Sequence, residues 1–312
     1  MYGSFWENLR NAFRHSDNSL YKLIAINILV FFVLLIVRVI LTIGGLEGAY
    51  KTGLSYLMMP AALPKLVTQP WSIFSYMFLH EGVFHVLFNM LFLYWFGMLV
   101  HQYLGSRKLV NLYILGGLFG ALFYVLIYNL APYFSDSVGS SMMLGASAGV
   151  FAVVVGAATL APNTTFFLIL IGPVKIVYIA AFYVILSFAN SVGTNAGGEI
   201  AHLGGALLGY LYVVQLRKGI DWGVPVQKVG IFFENLFSGN RSNVKVSYRK
   251  AKTTTSSGGF GSFASKAKTS TPIKNQETSQ EEIDQILDKI AAKGYDALSK
   301  EEKRKLFEFS KK

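Results

Sequence analysis

Four polar side chains stand out in an otherwise apolar chain, because residues of these types could together perform acyl transfer. Ser147 is the centre of Gly-Ala-Ser-Ala-Gly at 145–149, and His202 follows 55 positions later. An imidazole beside a serine hydroxyl takes up the hydroxyl proton as the oxygen attacks a carbonyl carbon, and then gives that proton to the leaving group. The pair therefore predicts Ser147 as a nucleophile and His202 as its general base.

The attack of a serine oxygen on a carbonyl builds negative charge that needs hydrogen-bond donors already in place. His85 and Asn89 are four residues apart, so a helix would present both on one face. We expect them to line an oxyanion hole, together with the Ser147 N–H if that residue begins a helix. Phe151 is one helical turn after Ser147 and could stack on the imidazole of His202.

Each of these residues also has a purely structural explanation. The segment 145–149 could be a small-residue packing face between helices, with Gly145 chosen only for its size. His202 could be a satisfied packing residue or a member of a proton relay, as intramembrane histidines often are. His85 and Asn89 could hold two helices together through hydrogen bonds.

The elements that must position these residues are membrane helices. Hydrophobic residues make up 53% of the 312-residue chain and charged residues only 14%, against about 25% in soluble domains. Six apolar stretches are long enough, alone or with their flanks, to cross a bilayer, which predicts an all-α, polytopic bundle: 23–43, 84–103, 109–130, 144–161, 174–188 and 201–216.

Basic residues orient these spans, because they favour the cytoplasmic side. Most lie in the N-terminal segment, in the connections after spans two and four, and in the tail, so we expect both termini in the cytoplasm. Lys51 and Lys65, in the connection after span one, run against this pattern. Spans two, four and six then run inward, and the four polar residues share one depth near the outer face. That convergence favours a catalytic site over packing, and it excludes His101, which lies at the inner end of span two.

An acidic partner for the histidine is not expected. Between residues 71 and 216 the only acids are Glu81, Asp136 and Glu199, all at or outside span ends, so the sequence predicts a Ser–His dyad. No metal site or other cofactor is expected either. The chain has no cysteine, and His80 and His85 fall on different helical faces. Catalysis by an aspartate dyad is not expected either, because it needs two intramembrane aspartates and the chain has none.

Residues 69–212 resemble the rhomboid family of intramembrane serine proteases. The similarity rests on Gln-Pro-Trp at 69–71, His-x-x-x-Asn at 85–89, Leu-Gly-Ser at 104–106, Gly-Ala-Ser-Ala at 145–148, and Ala-His with glycines three and seven positions after the histidine, at 201–209. The resemblance implies a six-helix rhomboid-like bundle of bacterial type, in which Gly205 and Gly209 let span six approach span four. It also implies cleavage of single-span membrane proteins in or beside their transmembrane helix. Family members often carry Glu at position 101 and Tyr at position 151.

Four segments follow from these patterns. We expect an N-terminal cytoplasmic or interfacial segment at 1–21, a membrane domain at 22–216, a basic flexible linker at 217–278 and a small helical segment at 279–312. The net charge of +11 lies mainly in the tail and predicts proximity to an anionic leaflet rather than nucleic-acid binding. The expected location is the bacterial cytoplasmic membrane, and the partners are the bilayer, transmembrane substrates and an unknown partner of the tail.

Two other functions stay open from the residues alone. A catalytically silent rhomboid-like binder or chaperone would share the fold, although this chain keeps both Ser147 and His202. A transporter is less well supported, since we find no internal repeat and only Arg38 is charged deep within a span. For a protease, the glycine-containing segment 191–199 before span six could form a mobile lid over the site.

Overall fold

Helices form nearly all the regular structure in the computed structural model, which describes residues 4–13, 18–168, 171–237, 280–293, 298–299, 301–302 and 305–306. The predicted all-α class is confirmed. The chain divides into two compact units, Met1–Asn243 and Val244–Lys312.

The first unit is built from helices of very different length. α2 and α6 are long and apolar enough to cross a membrane by themselves, and α7 and α8 are shorter apolar helices. In chain order the helices are α1 (Phe5–Arg10), α2 (Ser19–Ile43), α3 (Glu47–Ser55), α4 (Leu63–Thr68), α5 (Ser72–Ser75), α6 (Val83–Leu130), α7 (Ser147–Leu160), α8 (Ile176–Asn190), α9 (Ala196–Arg217) and α10 (Val224–Phe237), with 3-10 turns at Tyr76–Phe78 and Pro132–Phe134.

Spans two and three are the two arms of α6, which bends at Gly105. Gly105 has φ 79° and ψ 171°, a conformation that only glycine adopts without strain. The arms, 83–104 and 106–130, are each about 33–38 Å long at 1.5 Å per residue, enough to cross a hydrocarbon core of about 30 Å. The predicted spans at 84–103 and 109–130 fall on these arms.

Small residues bring the second arm of α6, α7 and α9 into backbone contact. A methyl group added at Gly205 would lie 2.0 Å from the carbonyl oxygen of Ala148, and one at Gly209 would lie 2.3 Å from that of Ala152. On the α6 side, a methyl group at Gly116 would lie 2.2 Å from the Ala152 Cβ. α7 and α9 therefore meet backbone to backbone at these two glycines, and only the Ala152 methyl group separates α7 from α6 at Gly116.

The N-terminal segment packs on the bundle more than the sequence predicts. Ser4 and Glu7 form a reciprocal capping box at the start of α1, and the Phe5 ring meets Tyr94 edge-on at 5.2 Å. Phe13 remains 66% exposed, as an interfacial residue would. α2 begins at Ser19, so the first membrane helix starts before the predicted boundary at residue 22.

The connection between α2 and α6 folds back onto the end of the bundle where α7 begins. Its strand β1 (Met59–Pro60) pairs antiparallel with β2 (Met142–Met143), with Met59 opposite Met143. The backbone N–H of Gly145 donates to the Tyr76 carbonyl at 2.9 Å. These bonds hold the strand that leads into α7 and so fix where α7 begins.

Two features at the other end of the bundle differ from the prediction. A hairpin of β3 (Thr165–Leu168) and β4 (Gly172–Lys175) connects α7 to α8, so α8 begins two residues after the predicted start of span five at residue 174. The predicted linker at 217–278 is wrong in its first part, because α10 occupies 224–237. Apolar residues recur along α10 at helical spacing, which explains its formation, and residues 238–279 lie outside the described part.

Asp221 ties the turn before α10 to the bundle. Its carboxylate pairs with the Lys108 ammonium and accepts from the Tyr212 hydroxyl at 3.1 Å and the Gly223 N–H at 2.8 Å. Burial alone would raise the pKa of Asp221, but the Lys108 ammonium and the Gly223 N–H hold it below the usual range. This network fixes the end of α9 against the second arm of α6.

The second unit contains α11 (Gln280–Lys293) and a short following segment. Ile283, Ile286 and Leu298 are buried together. The Lys289 ammonium bonds to Glu302 at 2.7 Å and, with the Ser299 backbone N–H, lowers the pKa of Glu302 to about 2. The small helical segment predicted at 279–312 includes α11, while its expected capping residue Ser279 and helix end at Gly294 lie outside the described residues.

Candidate active site

Ser147 is the first residue of α7. The preceding Gly145 has φ 138°, and its backbone is held to Tyr76 and, through β2, to the connection between α2 and α6. The first N–H groups of a helix have no partner within it and carry partial positive charge. The hydroxyl of Ser147 therefore stands beside a set of backbone dipoles suited to an anion.

His202 reaches Ser147 from α9. The distance from His202 Nε2 to Ser147 Oγ is 2.6 Å, a short hydrogen bond. Gly205, one turn after His202, touches the backbone of Ala148, so the contact of α9 with α7 sets this distance. The structure thus brings together the two residues that the sequence predicted as nucleophile and base.

Phe151 supports the imidazole from α7. Its ring lies parallel to that of His202, with centroids 4.2 Å apart and an interplanar angle of 11°. The Tyr183 ring of α8 packs edge-on against Phe151 at 6.4 Å. The stacking anticipated from the one-turn spacing is present, and it restricts rotation of the imidazole out of line with Ser147.

His85 faces the same space as Ser147. A methyl group at Gly145 would lie 3.3 Å from His85 Nε2 and 3.2 Å from Ser147 Oγ, so both groups border the volume above Gly145. The backbone N–H of Glu81 donates to His85 Nδ1 at 3.3 Å. A neutral His85 therefore carries its proton on Nε2 and directs a donor into that volume.

Asn89 lies one turn further along α6 and is buried. Its Nδ2 donates to the His85 carbonyl at 2.8 Å, within its own helix. An amide nitrogen carries two hydrogens, so this bond uses only one of the donors. Asn89 is thus placed beside His85, although its bonded hydrogen points along the helix rather than toward Ser147.

His80 packs behind His85, outside the spans. The two imidazole rings meet edge-on at 5.2 Å. Burial, followed by the proximity of His85, lowers the pKa of His80 to about 4, so this ring is neutral at neutral pH. It fills space behind the site without adding charge to it.

An acidic residue does accompany His202, which corrects the prediction of a site without one. Glu199 Oε2 lies 3.2 Å from His202 Nδ1, on the side of the ring opposite Ser147. The sequence places Glu199 outside span six because the apolar stretch begins at residue 201. α9 begins at Ala196 instead, and one helical turn carries Glu199 to the same face as His202. The three-residue spacing was the signal that could have found it.

The predicted lid is also shorter than expected. Gly197 and Gly198 lie in the first turn of α9, and a methyl group at Gly197 would come within 2.8 Å of Tyr124. The connection from α8 is therefore only residues 191–195. The Tyr133 hydroxyl holds it by donating to the Val192 carbonyl at 3.0 Å.

Taken together, these positions form a hydroxyl, an imidazole and an anion-stabilising volume at the N-terminal end of α7. The arrangement can deprotonate Ser147 and receive a carbonyl oxygen above Gly145, which is the chemistry of acyl transfer. His101, excluded in the sequence analysis, instead bonds through Nδ1 to Ser106 Oγ at 3.1 Å near the bend of α6.

Two family profiles match the chain. The Rhomboid domain matches residues 67–219, and a family of unknown function (DUF6576) matches residues 274–312. The first match covers the helices that carry Ser147, His202, His85 and Asn89, and the second falls in the second compact unit.

Individual relatives carry the same name. The chain is 29% identical to the RHOMBOID-like protein 12, mitochondrial, of Arabidopsis thaliana over 153 residues, 46% of this chain and 45% of that protein. It is 28% identical to Rhomboid protein 1, mitochondrial, of Saccharomyces cerevisiae over 216 residues, 66% of this chain and 56% of that protein. An 82-residue match, 26% of this chain and 21% of the relative, is 30% identical to the Inactive RHOMBOID-like protein 8 of A. thaliana.

The chain spans about half the length of the first two relatives. Both relatives bear a rhomboid name. By its domain and by these relatives the chain belongs to the rhomboid family, and it is accordingly an integral membrane protein.

Proposed function

We propose that this chain is a serine endopeptidase, an intramembrane hydrolase that cleaves single-span membrane proteins within or next to their transmembrane helix. The observation that carries the proposal is the 2.6 Å hydrogen bond between His202 Nε2 and Ser147 Oγ, made between two helices in backbone contact. Membership of the rhomboid family supports an intramembrane protease-like function.

The reaction proceeds in two balanced steps. His202 Nε2 accepts the Ser147 proton as Oγ bonds to the scissile carbonyl carbon, and the resulting tetrahedral intermediate expels the amine, which takes that proton. The product is an ester between Ser147 and the N-terminal part of the substrate. Water then attacks the ester, with His202 accepting its proton and returning it to Ser147, which releases a carboxylate.

The negative oxygen of each intermediate lies in the volume above Gly145. The backbone N–H of Ser147, the Nε2–H of His85 and the second amide hydrogen of Asn89 are its donors. Each such donor lowers the barrier by about 3–4 kcal/mol. The absence of a side chain at Gly145 leaves room for the oxygen, which is why this position belongs to the site.

The surroundings of the site point to substrates that arrive through the bilayer. Ser147 and His202 lie at the ends of apolar helices, and a hydrophobic, helical substrate would meet them from the lipid. The location in a bacterial cytoplasmic membrane, with both termini in the cytoplasm, stays a prediction, and two of the relatives named above are mitochondrial proteins. The second unit is proposed to bind a cytoplasmic partner of unknown identity.

A second function has one specific observation in its favour. A relative of the chain bears the name of an inactive rhomboid-like protein. A catalytically silent binder or chaperone of membrane proteins would use the same bundle without chemistry at Ser147. The hydrogen bond to His202 favours the protease, because a binder has no need of an activated hydroxyl.

Cleavage of a single-span test substrate in proteoliposomes distinguishes the two functions. The native protein should cut, and Ser147→Ala and His202→Ala should not, while all three keep the same thermal denaturation midpoint. Labelling with a fluorophosphonate should modify Ser147 in the native protein alone. A native protein that neither cuts nor reacts with the fluorophosphonate would support the binder.

A further inference from the structure

Glu199 makes an unusual contact for a carboxylate near a membrane. Its Oε2 lies 3.2 Å from His202 Nδ1, and the side chains of the pair are only 18% and 14% exposed. Among the described residues, His202 is the only basic partner of Glu199 within ion-pair distance. A shielded carboxylate is costly without a partner, and here the partner is the base of the site.

Further polar groups hold the carboxylate in place. The side chains of Ser187 and Asn195 hydrogen-bond with it. Ser187 comes from α8, is 2% exposed, and its Oγ lies 3.2 Å from His202 Nδ1. The carboxylate is thus fixed from two helices and from the connection between them, as a group that orients another side chain should be.

The contact with Glu199 determines which nitrogen of the neutral His202 imidazole carries the proton. His202 Nε2 must be unprotonated to accept the Ser147 proton, so the proton of the neutral ring must lie on Nδ1. An ionised carboxylate only accepts hydrogen bonds and therefore selects that tautomer. It also balances the positive charge that the ring gains when it takes the serine proton.

We propose that Glu199 is the positioning residue of His202, so that the site works as a Ser147–His202–Glu199 array rather than as a dyad. The proposal rests on the proposed protease function. Glu199 accepts the Nδ1–H of His202, keeps Nε2 toward Ser147 and offsets the imidazolium charge. The Ser187 hydroxyl donates to the same carboxylate and links α8 to the base.

Kinetics of Glu199→Gln test this role, because glutamine keeps the shape and loses the charge. Its amide can donate to Nδ1 and so favours the wrong tautomer. We expect kcat to fall by about 10- to 100-fold with KM changed less than about twofold, a smaller loss than the roughly 10⁴-fold seen for an equivalent change in a soluble serine protease. Fluorophosphonate labelling of Ser147 should slow in parallel. Glu199→Asp should recover part of both rates.

Asp136→Asn is the matched control, because Asp136 is an exposed acid in the external connection after α6. It should leave kcat and labelling unchanged. If the native protein is active and Glu199→Gln has the same kcat and the same labelling rate, the positioning role is overturned and the protease function stands.

A measurement without substrate separates the two proposals. In protein labelled with ¹⁵N-histidine, the His202 signal is identified by its loss in His202→Ala. The signal should report protonated Nδ1 in the native protein and a mixture of tautomers in Glu199→Gln. The ionisable groups near this ring are Glu199 on α9 and His85 on α6. The His202 signal of His85→Gln therefore serves as a second reference, in which the other ionisable neighbour is removed. Identical signals in the native protein and Glu199→Gln contradict the proposal whether or not the protein cleaves.

Discussion

Phe151 lies face to face with His202, with 4.2 Å between the ring centroids. The base is therefore held at its ring face, by the Ser147 hydroxyl at one nitrogen, and by the Glu199 carboxylate and the Ser187 hydroxyl at the other. An imidazole confined in this way loses little freedom when the reaction begins, which is how positioned groups contribute to rate.

Removal of the Phe151 ring should reduce the rate more than the affinity for substrate. We expect Phe151→Ala to lower kcat by about tenfold, since the imidazole gains rotational freedom, while Phe151→Tyr keeps the stacking and retains activity. Steady-state cleavage of the test substrate measures both. Phe167→Ala, which removes an exposed ring from β3, is the control. Equal kcat for Phe151→Ala and the native enzyme would contradict the role of stacking.

The second amide hydrogen of Asn89 is predicted to act only in the transition state. Asn89→Ala should therefore lower kcat by about 100-fold and leave KM nearly unchanged. Asn129→Ala is a suitable comparison, because Asn129 makes the same bond to the carbonyl four residues earlier, at 2.8 Å, and also holds Ala61. It should lower stability and keep kcat. Similar kinetic losses in both variants would show that the effect of Asn89 is structural.

Gly205 is predicted to be intolerant of any side chain. The added methyl group of Gly205→Ala would lie 2.0 Å from the Ala148 carbonyl oxygen, so α9 must move away from α7. We expect a loss of about 1–3 kcal/mol in the free energy of unfolding and slower labelling of Ser147. Gly139→Ala is the control, because nothing lies within 4 Å of the added group. If Gly205→Ala had the same denaturation midpoint as the native protein, the close contact between α9 and α7 would be contradicted.

His80 makes stability depend on pH below neutrality. Its folded-state pKa, about 4, is below the usual value of 6.5, so the unfolded state binds the proton first as pH falls. The contribution of His80 to the free energy of unfolding is therefore fully present above pH 6.5. It declines between pH 6.5 and about 4, by about 1.4 kcal/mol per pH unit. The denaturation midpoint should therefore drop more between pH 7.5 and 5 in the native protein than in His80→Phe. Parallel curves for the two proteins would contradict the assignment.

The residue pattern predicted the centre of the bundle better than its edges. Ser147 and His202 could be paired because span direction places both near the outer face, and Gly105 separates two apolar runs of membrane length. Each inference depends on a strong and local signal, either a charge asymmetry between loops or a break in hydropathy.

The missed features depend on short-range geometry that hydropathy does not report. The sequence does not reveal Glu199, because α9 begins with a polar first turn. Hydropathy marks only where the apolar stretch starts, which is several residues after the true start of the helix. The β3–β4 hairpin has only four residues in each strand. The predicted linker includes α10 because the low-complexity sequence after residue 239 dominates the composition of that region.

α8 differs from its neighbours in how little of it is buried. Ile176, Ala180 and Ser187 are its buried residues, whereas α7 and α9 are joined through glycines along their length. α7 and α9 therefore keep Ser147, His202 and Glu199 in register, whereas α8 is only weakly attached to them. Displacement of α8 costs little buried surface and leaves the packing of α7 on α9 intact, but it withdraws Ser187 from the Glu199 carboxylate. A displacement of α8 would therefore change the electrostatic environment of His202 without changing the distance between Ser147 and the imidazole.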